Sequence, residues 1–99
     1  MNDEQVESRM TTYRLAALPG DGTGREVMRE ALRVLSVFEE NSPLSFEIKE
    51  IPCGGQYYLE TGEEWPAGSF EYCRDQSDAI LLGAIGWPDA RLPNGDMAG

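Results

Sequence analysis

The chemistry of this chain is concentrated at Leu18-Pro19-Gly20-Asp21-Gly22-Thr23-Gly24-Arg25-Glu26-Val27, where three glycines fall in five positions. Tyr13, Leu15 and Leu18, with Ala16 and Ala17, predict a short buried strand before it, and apolar residues at helical spacing follow it. Glycines at a strand-to-helix turn permit positive φ and let another backbone or a ligand come close. The helix start presents unpaired N–H groups and a partial positive charge, which suit an anion. A tight βα connection without a ligand has the same composition, so the turn alone leaves both readings open. Two nucleotide motifs fail on the residues. G-x-G-x-x-G needs glycine at position 25, where Arg25 stands, and G-x-x-x-x-G-K-[ST] has no matching Gly-Lys-Ser/Thr triplet.

Several other chemistries are excluded by composition. The chain has no histidine, so it carries neither a Ser-His-Asp nor a Cys-His mechanism of its own. Cys53 and Cys73 are its only cysteines and form no C-x-x-C pattern, which argues against zinc and for reduced, buried thiols in a cytoplasmic protein. Glu60, Glu63 and Glu64 read as a solvated loop rather than paired catalytic carboxylates. Tyr57, Tyr58 and Trp65 read as packing groups, because no basic patch accompanies them as in a base-stacking platform. With 18 acidic against 8 basic residues, the net charge of −10 argues against nucleic acid and anionic membranes as partners. No apolar run reaches membrane-spanning length, and the acidic N-terminus lacks the apolar region of a secretory signal.

Ninety-nine residues bound the chain to one domain at most. Residues 1–10 read as a flexible acidic tail, leaving residues 11–99 for the fold. The first strand is expected at 13–18. A helix should run from Gly24 to about Glu40, with Val27, Met28, Ala31, Leu32, Val34, Leu35 and Phe38 as its apolar stripe. Thr23 is the expected N-cap, with Glu26 completing a capping box. Leu44 to Ile51 alternates, as a strand with one wet face near a sheet edge does. A short helix over Gln56–Glu60, closed by Gly62, and another from Ala67 to about Gln76 come next. The continuous apolar run Ala79–Ile85 predicts a strand buried on both faces. Alternating strands and helices give an α/β fold, a mostly parallel sheet with flanking helices and right-handed crossovers. Ligands of such sheets bind beyond the carboxyl ends of strands, which selects Gly20–Gly24 and Gly86–Pro93 and places them on one rim.

At this point the residues resemble the isopropylmalate, isocitrate and tartrate dehydrogenases, which are β-decarboxylating dehydrogenases of 2-hydroxy acids. The glycine turn is similar to their L-P-G-D-G-I-G-P-E-V signature. Tyr57-Tyr58-Leu59-Glu60-Thr61-Gly62 and Asp78-Ala79-Ile80-Leu81-Leu82-Gly83-Ala84-Ile85-Gly86-Trp87-Pro88 are two further matches in order. The resemblance implies the N-terminal segment of a large two-domain α/β protein whose sheet is not a Rossmann fold. It implies NAD or NADP, with Mg²⁺ or Mn²⁺ held by residues outside this chain, and a homodimer acting on a small 2-hydroxy acid. By the same resemblance, Thr23, Gly86, Trp87, Pro88 and Asp89 border the cofactor, while no catalytic or metal-binding residue is carried over. Thr23 departs from the family's isoleucine and Arg25 from its proline. Gly86-Trp87-Pro88 leans towards the tartrate branch. The alternative is a stand-alone, non-catalytic acidic α/β module that binds an anion or a partner protein. The 99-residue chain by itself is expected to be inactive and poorly stabilised.

Overall fold

The computed structural model describes residues 11–99, and the expected acidic tail lies outside the described residues. Three strands form one parallel sheet: β1 (Thr11–Leu18), β2 (Leu44–Glu50) and β3 (Ala79–Leu82), in the order β2-β1-β3. Three helices join them: α1 (Thr23–Asn41), α2 (Gly55–Thr61) and α3 (Ser69–Asp75). β1 is central. Its paired residues run from Thr11↔Leu44 to Ala17↔Glu50 on one side and from Leu15↔Ala79 to Leu18↔Leu82 on the other. The chain moves from β1 to one neighbour and then back across to the other. Right-handed crossovers therefore put α1 on one face and α2–α3 on the opposite one.

The side chains follow this division. Ala16 and Leu18 form a buried cluster with Ile51 and Cys53, against which Trp65, Tyr72 and Cys73 pack. Lys49, in register with Ala16, lies 4.4 Å from the Tyr72 ring centroid, so the wet face of β2 is partly covered by α3. On the other face Leu15 is in register with Ile48, and the Phe46 N–H donates to Glu39 of α1 at 3.0 Å. Parallel partners share a face, so this is the face α1 covers.

Local chemistry sets the element ends. Gly62 closes α2 in the left-handed region (φ 81°), its N–H donating to the Tyr58 carbonyl. α1 is capped differently from the expected box. Gly22 occupies the N-cap, Thr23 is already helical, and no side chain bonds the cap. The tight turn requires Gly22 at φ 53°, which moves the cap position one residue upstream of the hydroxyl.

Two expectations about burial are corrected. The continuous apolar run Ala79–Ile85 calls for cover on both faces, yet β3 is an edge strand with Ile80 52% and Leu82 64% exposed. The apolar stripe of α1 is also split. Met28 is buried and Ala31, Leu32 and Leu35 are half-buried, whereas Val27, Val34 and Phe38 are exposed. Both corrections have one cause: one 19-residue helix and two 7-residue helices cannot cover two sheet faces and the outer side of α1 as well. No helix among the described residues is long and apolar enough to cross a membrane.

Candidate functional site at the carboxyl rim of the sheet

The two segments selected by the strand-end rule lie together. The ladder between β1 and β3 continues past both strands, with Gly83 N–H donating to Leu18 (2.7 Å) and Asp21 N–H to Ala84 (2.8 Å). Backbones this close leave no room for a side chain at Gly20, where φ is 77° and a Cβ would stand 2.2 Å from the Ala84 carbonyl oxygen. Backbone packing therefore accounts for that glycine by itself.

Asp21 is the centre of the arrangement and is only 3% exposed. Its Oδ2 accepts the N–H groups of Gly55 and Gly86, each at 2.8 Å, and its Oδ1 accepts the Gln56 N–H at 2.8 Å. Gln56 returns a bond, its Oε1 accepting the Gly22 N–H at 3.0 Å. Burial alone would raise the Asp21 pKa. The three backbone donors and the nearby Arg25 guanidinium outweigh it and hold the carboxyl below its ordinary value. Arg25 is steadied by its own bond, Nε donating to the Gly20 carbonyl at 3.2 Å. Asp21 thus ties the glycine turn, the start of α2 and the loop after β3 to one another.

Around this centre stand the residues singled out from the sequence. Thr23 is exposed at the first position of α1. Gly86 is fixed through its N–H to Asp21. Trp87 is half-buried, close to Gly22 and against Gly55, where a Cβ would come within 2.7 Å of the Trp87 Cβ. Pro88 and Asp89 are exposed, and the Pro88 carbonyl accepts from Arg91 Nε at 3.2 Å. Asp21 and Gln56, two residues that sequence reasoning did not select, therefore join the glycine turn just before Thr23 to the start of the Gly86–Asp89 loop. Two clefts of about 540 Å³ flank the sheet. One is bordered by Gly20, Arg25, Arg29, Cys53 and Tyr57 on the α1 side, the other by Trp65, Phe70, Cys73, Ile80 and Leu82. Neither is lined by Thr23 or Gly86–Asp89; of these, Thr23, Pro88 and Asp89 are exposed and Gly86 and Trp87 half-buried.

The remaining groups have structural surroundings. Cys53 and Cys73 are free, Cys53 buried and Cys73 half-buried, and burial pushes the Cys53 thiol up. Glu60, Glu63 and Glu64 are exposed as expected, although Glu64 also accepts the Gly54 N–H through its carbonyl and the Gly99 N–H through its carboxylate. Among the described residues no group of three or more His, Cys, Asp or Glu side chains is arranged to hold a metal. A divalent cation therefore does not fit the described residues. At the rim itself the Thr23 side chain is exposed, while the Gly22, Gly24 and Arg25 N–H groups around the start of α1 are already bonded to Gln56, Asp21 and Gly22.

Residues 14–97 match the family model described as isocitrate/isopropylmalate dehydrogenase. The chain is 47% identical over 76 residues to a 3-isopropylmalate dehydrogenase of Buchnera aphidicola subsp. Uroleucon obscurum, covering 77% of this chain and 21% of that protein. It is 43% identical over 79 residues to the 3-isopropylmalate dehydrogenase of Aquifex aeolicus, covering 80% and 21%. Its fold is similar to a β-decarboxylating dehydrogenase of Thermococcus kodakarensis solved in the apo form, with TM-score 0.59 and 38% identity over 82% of this chain and 23% of that one. The chain spans about a fifth of the length of the curated relatives it matches.

Proposed function

Because the chain belongs to the isocitrate/isopropylmalate dehydrogenase family, we propose that it forms the N-terminal part of an NAD(P)-dependent oxidative decarboxylase acting on a small, malate-type 2-hydroxy acid in the cytoplasm. The observation that supports this most is the rim itself: the glycine turn leading into Thr23 and the Gly86–Asp89 loop are joined through Asp21 beyond the carboxyl ends of two parallel strands, where open α/β sheets bind ligands. When bound, the nicotinamide accepts hydride from the hydroxyl-bearing carbon of the acid. The chain's own part is to bind and orient. Thr23 and the Gly86–Asp89 loop are the residues of this chain that would hold the dinucleotide. The divalent cation, the proton-transferring groups and the carboxylate-binding groups belong to polypeptide beyond these residues. A homodimer completes the reading, with a tartrate-like substrate suggested by Gly86-Trp87-Pro88. The stand-alone module is disfavoured by Val27, Val34, Ile80 and Leu82, apolar side chains left exposed on both α1 and β3.

A transplant tests the proposal. Residues 14–89 replace the matching stretch of the Aquifex aeolicus enzyme, and reduction of NAD is followed with 3-isopropylmalate and Mn²⁺. Turnover within about 100-fold of the parent, a loss of under about 3 kcal/mol in transition-state stabilisation, is expected. A folded chimera without turnover would refute it. The 99-residue chain assayed alone with isopropylmalate, tartrate, malate or isocitrate should reduce neither NAD nor NADP.

A further inference from the structure

We propose that Asp21 is a positioning residue of this rim, its single carboxylate setting the place of the Gly86–Asp89 loop relative to the glycine turn. The consequence for dinucleotide binding rests on the function proposed above; the positioning itself rests on geometry.

Three donors converge on two oxygens from residues 34, 35 and 65 positions away in sequence. Oδ2 is shared between Gly55, at the start of α2, and Gly86, at the start of the loop that carries Trp87, Pro88 and Asp89. These two contacts make the carboxylate a direct bridge from α2 to the loop. The backbone closes tightly over it. At Gly54, with φ 103°, a Cβ would lie 2.7–2.8 Å from the Asp21 carboxyl atoms, so only glycine lets that strand of backbone approach. Asp21 is held in turn by its own N–H to Ala84 and by the Gln56–Gly22 bond beside it. An ionised carboxylate is acceptor-only and serves three donors, whereas an amide of equal size turns one acceptor into a donor that faces an N–H. Charge and shape are therefore both needed. A side chain serving only to fill the turn would need neither.

The test follows the ¹⁵N-labelled 99-residue chain by NMR at about 10–20 °C, where small domains are most stable. The amides of Gly55, Gln56 and Gly86 are tracked through pH. The other charged or ionisable side chains around it are the Arg25 guanidinium, the Cys53 thiol and the Glu64 carboxylate that accepts the Gly99 N–H, and Glu64→Gln serves as a control for the last. The expected result is one shared midpoint for the three amides, unchanged by Glu64→Gln, with the Trp87 indole moving alongside and Tyr13 and Phe46 still. Separate midpoints, or a Trp87 signal indifferent to the transition, would overturn the proposal without any variant having to fold. Asp21→Asn is the second arm. It should displace the Gly86 and Trp87 signals while those of Tyr13 and Phe46 stay in place, and raise the Kd for NADH about tenfold. An Asn variant with unchanged loop signals and unchanged Kd overturns the positioning role. If NADH binds neither protein, the cofactor-facing reading fails, while the shared midpoint still supports the positioning role.

Discussion

Replacing Asp21 by alanine is expected to lower the stability of the chain by about 3–5 kcal/mol. Hydrogen bonds to a charged group contribute about 1.5–3 kcal/mol each, and three are lost together. Water reaching the partly exposed Gln56 and Gly86 amides keeps the total below the simple sum. Gly55 is buried and its N–H has no such relief. A domain of this size has on the order of 5 kcal/mol in all, so the variant should keep at most about 2 kcal/mol. In urea the midpoint should fall by about 3 M or more, given a slope near 1 kcal/mol per M; an unchanged midpoint would contradict the account. The effect has a definite pH sign. The folded carboxyl titrates below its ordinary value of 3.8, because the N–H donors outweigh burial. Its stabilisation is then complete above the unfolded pKa and is lost as pH falls through the folded one. The difference between wild type and Asp21→Ala should stay level from about pH 7 to 5 and shrink below about pH 4.

The second large effect concerns the uncovered apolar surface. Ile80 and Leu82 project from an unpaired edge strand, with Phe70 54% exposed beside the same cleft and Val27 and Val34 exposed on α1. An exposed apolar edge is a surface for non-specific aggregation. Heating the chain should therefore give a broad transition that shifts with protein concentration. Ile80→Lys together with Leu82→Lys should suppress that concentration dependence. Each side chain loses only about 1 kcal/mol of burial, since it is more than half exposed already. A sharp, concentration-independent transition that this pair of changes lowers severely would show that both side chains are buried and the account of β3 wrong.

These two predictions mark what could be read from the residues and what could not. β2 was legible as an edge strand because Leu44, Phe46 and Ile48 alternate with Ser45, Glu47 and Lys49, a pattern that only a half-covered strand needs. The end of α2 was legible in Gly62. β3 was legible as a parallel strand, but a continuous apolar run records the cover a strand requires and is silent on which polypeptide provides it. Val27, Val34 and Phe38 on α1 carry the same message, because a helix apolar on two sides expects two neighbours. The rim was legible through the rule for strand ends. Its organiser was not, since the partners of Asp21 lie far along the chain. A signal for it existed: an aspartate between two glycines at the end of a buried strand must find donors, and the Gly54-Gly55 pair marks a backbone able to approach it. Thr23 misled as a cap because the glycine before it took the position.

The central claim is that Thr23 and Gly86–Asp89 form one edge facing a dinucleotide. It is tested most directly by titrating NADH into the ¹⁵N-labelled chain and mapping the amide shifts, which should saturate with a Kd near ~1 mM. Shifts concentrated at Thr23, Gly86, Trp87 and Asp89 are predicted. Shifts confined to the Arg25–Arg33 side of α1, or no shifts at all up to about ten times that Kd, would contradict it.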